Sequence, residues 1–228
     1  RQWQKAFPEK PIPVAAVIGV DPGTIIAAVT PTPDSLSEYQ FAGLLREKKI
    51  ELTDAVTVPI KVPANAEIIL EGHILPNETV EEGPFGDHVG YYSLAEPYPV
   101  FHLTAVTRRR DPIYVSTIVG RPPMEDAWIG KATERLFLPL VRLFIPEVVD
   151  MHLPVHGVFH NFAILAIKKR YPGHARKVMH GVWGLGQLMF SKYVIVVDHD
   201  VDVQNLKEVM WRVGANTDPA RDLEHATG

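Results

Sequence analysis

The sequence predicts a mixed α+β and α/β chain in two parts: a β-rich first half forming an antiparallel sheet or small barrel, then an α/β layer. Two observations carry this. From Ile50 to Ile118 the apolar residues are β-branched, partly alternating and punctuated by turn residues. From Ala127 onward, helical spacings of three and four alternate with short apolar runs. The change of period falls after Gly120-Arg121-Pro122-Pro123, dividing the chain into residues 1–120 and 121–228.

Taken in order, Pro13 to Val20 is an apolar β run closed by the turn Asp21-Pro22-Gly23, after which Thr24 is a candidate helix N-cap. Ser35 or Ser37 caps a helix carrying Glu38 to Leu45. Strands are expected over Ile50–Ile60, Ala66–Ile74, Pro99–Thr107 and Ile113–Ile118. In the second part Ile129, Ala132, Leu136, Leu140 and Leu143 place an amphipathic helix over Ala127–Phe144. Strands follow at Val148–Leu153, Phe162–Ile167 and Tyr193–Val197, with helices at His174–Leu188 and Val203–Val213.

Composition narrows the function classes. The 228 residues are 46% hydrophobic and 22% charged with net charge -4, a globular balance that gives no support for a nucleic-acid partner. The absence of cysteine excludes disulfides, thiolate nucleophiles and cysteine-ligated zinc. No apolar run reaches the length of a transmembrane segment.

The stretch richest in chemistry is Glu82-Gly-Pro-Phe-Gly-Asp87-His-Val-Gly-Tyr-Tyr92. Pro84 fixes its own φ, while Gly83, Gly86 and Gly90 permit positive φ, so two acids sit on a shaped turn. Phe85, Tyr91 and Tyr92 are expected to wall in a carboxyl group, raise its pKa and make it a proton donor. A surface turn with two solvated acids is the ordinary alternative. Asp198-His-Asp-Val-Asp202 lacks the glycine and terminal glutamate of a calcium loop and reads as a strand-end loop leading into a helix. His174 and His180 do not share a helix face and read as surface or interface histidines, and His152, His156 and His160 are interrupted by Pro154 and Gly157. Glu38 by itself is an acid favoured at a helix N-terminus.

The segment EGPFGDHVGYY resembles the signature loop of the UbiD family of reversible decarboxylases. The same family is matched in order by Ser37–Arg46 (SEYQFAGLLR), Gly120–Pro123 (GRPP), Gly173–Val178 (GHARKV) and Asp218–Asp222 (DPARD). This resemblance implies a β-rich split-barrel-like half binding prenylated FMN, an α/β C-terminal domain, and a chain that is an internal fragment of a longer enzyme, itself inactive. It implies decarboxylation of an aromatic or α,β-unsaturated acid through a covalent prenylated-FMN adduct. Asp87 would be the proton donor and Glu82 its partner. Glu38 would ligate manganese or magnesium beside the cofactor phosphate. Ala28, Val29, Thr30 and Pro31 would lie along the cofactor, with backbone carbonyls at Ala27 and Thr30 offered to a potassium ion. Aspartate at position 87 favours a hydroxybenzoate-like or naphthoate-like acid in quinone biosynthesis, whereas Asn216, where ubiquinone-pathway members carry arginine, speaks against the octaprenyl-hydroxybenzoate substrate. The resemblance further implies a flavin prenyltransferase as cofactor supplier, a homo-oligomer, and a cytoplasmic location, peripheral to the membrane if the substrate is prenylated. A non-catalytic flavin- or phosphate-binding or oligomerisation module is the alternative from another class.

Overall fold

A computed structural model of the chain describes residues 6–30 and 36–227. It divides into two compact units, Arg1–Gly120 and Arg121–Gly228.

In the first unit, strand β1 (Ile12–Ile18) runs into helix α1 (Pro22–Ala28) and helix α2 (Glu38–Leu45). Asp21, not Thr24, caps α1: its carboxylate accepts from Thr24 N and Thr24 Oγ1, and Pro22 occupies the first turn, where its missing N–H is no loss. Ser37 caps α2 in a reciprocal box, accepting from backbone N–H groups of the first turn while Gln40 Oε1 accepts from Ser37 N at 3.1 Å. Asp21 also pairs with Arg46 at 3.2 Å, tying the start of α1 to the end of α2.

Two short strands, β2 (Leu52–Asp54) and β3 (Lys61–Pro63), form an antiparallel hairpin, much less extended strand than Ile50–Ile60 suggested. The expected strand at Ala66–Ile74 is instead β4 (Ile68–Glu82), 15 residues long, and it pairs antiparallel with both β1 and β5 (Glu96–Arg108). The β4–β5 register shifts at Glu71/Gly72 and Ile74/Thr79. Glycine is required at the first shift, because a Cβ on Gly72 would overlap the His102 carbonyl oxygen. Residues 113–118 are not a strand. Pro112 removes one ladder donor, and Ile113 N donates to the Glu67 carboxylate at 3.0 Å instead of to a neighbouring strand.

The second unit starts with α3 (Asp126–Phe144) and a sheet ordered β6 (Val148–His152), β7 (Phe162–Ile167), β8 (Tyr193–Asp198). β6 is antiparallel to β7, and β7 is parallel to β8. Central β7 is buried on both faces, as its unbroken run Phe-Ala-Ile-Leu-Ala-Ile requires. Ala163, Leu165 and Ile167 pack with Val141 and Ile145 of α3 and with Val178 and Val182 of α4 (His174–Trp183). Ile164 and Ala166 pack with Val201, Val203 and Val209, the last from α5 (Leu206–Asn216). A short α6 (Pro219–Asp222) follows. Helix α4 ends at Trp183, not Leu188, because Gly184 terminates it and a 3-10 turn covers Gly186–Phe190.

Three carboxylates, Glu71, Glu134 and Glu147, are buried. Glu134 on α3 is fully buried and accepts from Leu153 N at 2.6 Å, Lys131 Nζ at 2.8 Å and Gln204 Nε2 at 3.2 Å, with His152 Nδ1 at 2.9 Å. Burial alone would raise its pKa, but the hydrogen bonds from His152, Leu153 N and Lys131 outweigh it and hold the group at about 2. Glu147 is likewise buried against His174 Nε2 at 2.8 Å, so His174 is a core residue, stacked on Tyr171, and not a surface or interface histidine.

A carboxylate whose folded pKa lies below its ordinary value contributes stability that is present above the ordinary value and lost as pH falls through the folded one. For Glu134 that window runs from 4.5 down to about 2. Glu134→Gln is therefore expected to cost about 2–3 kcal/mol at neutral pH and to flatten the acid dependence across this window. Urea unfolding as a function of pH checks this, and a variant whose acid dependence matches the parent's would locate the stabilisation elsewhere.

Candidate functional site

The loop between β4 and β5 is shaped as the sequence requires, with one difference in which glycines do the shaping. Gly83 and Gly90 take φ of 104° and 89°, whereas Gly86 pairs with Tyr92 in an isolated antiparallel bridge. Ser93 N donates to Phe85 O at 2.8 Å, Asp87 N to Tyr91 O at 3.0 Å, and Gly90 N to Asp87 O at 3.0 Å. Phe85–Ser93 is thus a small hairpin with Asp87 opening its tight turn. Glu82 does not lie in the loop: it is the last residue of β4, paired with Glu96 of β5.

Asp87 Oδ1 accepts from His88 N at 2.7 Å and lies 2.6 Å from His88 Nδ1, with both side chains about one-third exposed at 36%. His88 was given no role by sequence reasoning, although its place directly after Asp87 in the loop was the available signal. The expected apolar walls do not close around the acid. Tyr91 and Tyr92 are each 78% exposed and Phe85 43% exposed.

The second group of predicted residues lies on the helical pair. Glu38 is the first residue of α2 and is exposed. The Asp21–Arg46 pair ties the start of α1 to the end of α2. Ala27 and Thr30 are buried, while Ala28 and Val29 are exposed. Thr30 Oγ1 donates to Ile26 O at 2.8 Å and Thr30 N to Ala27 O at 3.1 Å, so the Ala27 carbonyl keeps only its second lone pair for an ion. Pro31 lies outside the described residues. Among the described residues no group of three or more His, Asp or Glu side chains that could hold a metal ion is gathered.

The structure therefore places the predicted residues on two elements of the first unit: the β4–β5 loop with Asp87, and the helical pair with Glu38 and Ala27–Thr30. No described helix is long and apolar enough to cross a membrane.

Two family models account for nearly the whole chain: the 3-octaprenyl-4-hydroxybenzoate carboxy-lyase Rift-related domain over residues 1–122 and the carboxy-lyase C-terminal domain over residues 127–228. An uncharacterized protein of Archaeoglobus fulgidus is 58% identical over 212 residues, 93% of this chain and 44% of that protein. Among solved structures, an evolved dimeric form of the UbiD-class enzyme HmfF from Pelotomaculum thermopropionicum, in complex with prFMN, is 34% identical with a TM-score of 0.85, covering 98% of this chain and 51% of that one. The closed form of vanillic acid decarboxylase from Sedimentibacter hydroxybenzoicus is 33% identical with a TM-score of 0.87, covering 97% and 47%. The 3,4-dihydroxybenzoic acid decarboxylase of Klebsiella pneumoniae is 27% identical with a TM-score of 0.72, covering 96% and 47%. The chain spans about half the length of the relatives it matches. With both of its units matched by the carboxy-lyase models, the chain belongs to the UbiD family.

Proposed function

We propose that this chain supplies the proton-donating loop and part of the cofactor cradle of a prenylated-FMN-dependent decarboxylase acting on an aromatic or α,β-unsaturated carboxylic acid, of the hydroxybenzoate-like or naphthoate-like kind. The carrying observation is Asp87, held at the turn of a glycine-shaped hairpin with the His88 ring 2.6 Å from its carboxylate. Prenylated FMN, when bound, supplies the electrophilic carbon and the electron sink that decarboxylation needs.

The chain's own residues handle the proton. Asp87 donates it to the substrate carbon that has lost carbon dioxide. His88 Nδ1 shares a proton with Asp87 Oδ1 and, through its backbone N–H, orients the same oxygen, making it a positioning residue. Glu82, at the end of β4, is the second acid of the relay. Glu38 would give one carboxylate to a manganese or magnesium ion beside the cofactor phosphate. Ala28, Val29, Thr30 and Pro31 would flank the cofactor, with Ala27 and Thr30 carbonyls offered to potassium. The exposed Phe85, Tyr91 and Tyr92 provide the apolar surface against which a bound ring excludes water from Asp87. The alternative from another class is a flavin- or phosphate-binding module without catalysis.

Asp87→Asn in the complete protein is expected to lower turnover by about 10²–10⁴ while cofactor binding survives. Decarboxylation and substrate deuterium exchange at the parent's rate would remove Asp87 from the reaction. Glu38→Gln is expected to lower metal and cofactor retention in parallel, since an amide cannot supply the charge a hard divalent ion needs; full manganese occupancy by elemental analysis would dismiss it as a ligand. The chain of residues 1–228 alone, titrated with prenylated FMN and manganese, is expected to show no turnover of an aryl acid. Tight metal-dependent binding with turnover would show that its own residues complete the site.

A further inference from the structure

The Asp87 hairpin is carried on a ribbon that its own strands hold weakly. β1 pairs with β4 only as far as Ile12 opposite Ile74. Beyond that point Thr79–Glu82 of β4 and Glu96–Pro99 of β5 pair with each other and with no third strand among the described residues. Every residue of this ribbon is exposed. Pro97 and Pro99 have no N–H to give to the ladder, and Glu82 stands directly opposite Glu96, a like-charge pair that opposes the pairing. A two-stranded ribbon of this kind is marginal in water, so its direction has to be fixed at its root.

The root is a wide register shift. Ile74 pairs with Phe101 and Thr79 with Pro99, so Leu75 to Glu78 lie opposite Val100 alone. Asn77, at φ 62°, turns the looped-out segment back, a conformation that asparagine tolerates better than most residues. The turn delivers Glu78 to the neighbouring strand, where its Oε2 lies 2.5 Å from His102 Nε2. A carboxylate only accepts, so His102 donates through Nε2–H. The His102 ring stacks on His73, its register partner on β4, with centroids 5.2 Å apart and planes 17° from parallel. One side-chain set thus spans the bulge and joins the end of the looped-out segment to the three-stranded sheet. Glu78 and His102 are each 37% exposed, so either can be replaced without opening a core.

We propose that Glu78, His102 and His73 form a latch that sets the direction of the ribbon and so the place of Asp87, which makes them positioning residues. His73 holds the imidazole in the plane that the bond to Glu78 needs, and Glu78 holds the ribbon. That the latch serves proton delivery rests on the decarboxylase reading; the latch itself does not.

Distances between paired spin labels test the latch without reference to activity, and the absence of native cysteine keeps the labelling specific. Leu94→Cys at the hairpin and Leu44→Cys on α2, both exposed, report the ribbon, while Val106→Cys on the sheet with Leu44→Cys serves as reference. A single narrow distribution is expected for the first pair. Glu78→Ala and His102→Leu, which remove the same bond from its two sides, should each raise the share of displaced distances about tenfold and leave the reference pair unchanged. In the complete protein the same two variants should lower kcat on 4-hydroxybenzoate about tenfold with KM little changed. Glu78→Gln keeps an acceptor for His102 and should recover most of both losses. An undisturbed distribution in Glu78→Ala, or one broadened equally at the reference pair, would overturn the latch. Parent-like kcat in a variant whose ribbon is displaced would overturn its role in positioning Asp87. If the complete parent turns over no hydroxybenzoate, the decarboxylase reading fails and the positioning role with it, while the distances still decide the latch.

Discussion

The first unit depends on a charged group placed where charge is costly. Glu71 lies in the middle of β4 and is 1% exposed, yet it accepts from Val56 N at 2.9 Å, Thr57 N at 2.6 Å and Thr57 Oγ1 at 2.9 Å. The backbone donation from Val56, with that from Thr57 and its hydroxyl, lowers its pKa despite burial. Thr57 Oγ1 in turn meets Thr104 Oγ1 at 2.7 Å, and Thr104 Oγ1 donates to Glu71 O at 3.1 Å. One carboxylate thereby joins the β2–β3 connection, β4 and β5. The far ends of β4 and β5 launch the loop that presents Asp87, so the geometry of that loop is inherited from strands fixed in register by this knot.

The second unit solves a similar problem with a different layer. Its sheet is buried on both faces, and polar groups enter the core only with partners: Glu134 with His152, Lys131 and Leu153 N, and Glu147 with His174 and Lys177. Removing one partner from such a set leaves the other groups desolvated and unpaired, which is why these residues are fixed as sets. The GHARKV motif reads physically in this light. Gly173 takes φ 86° to start α4, His174 reaches into the core to Glu147, and Arg176 Nε donates to Glu224 at 2.9 Å.

At the candidate site the division of labour is between a shaped loop and a helical pair. The loop fixes where the Asp87 carboxylate sits, through a hairpin whose backbone bonds leave it little freedom. The helical pair offers the Glu38 carboxylate at the first residue of α2 and the C-terminal end of the short α1.

By itself the sequence determined what local chemistry can encode. Of the two serines the sequence offered, Ser37 starts α2, the apolar run 162–167 dictated a buried strand, and of the three loop glycines Gly83 and Gly90 take the positive φ that shapes the turn carrying Asp87. Family motifs made the candidate residues legible before any contact was known. Only the tertiary structure decided that Glu82 ends a strand, that residues 113–118 pair with no strand among those described, and that Glu71, Glu134, Glu147 and His174 are core residues. The reason is physical: caps, turns and periodicity act over four or five residues, whereas the partner that makes a buried charge tolerable comes from elsewhere in the chain, 27 residues away for Glu147 and His174.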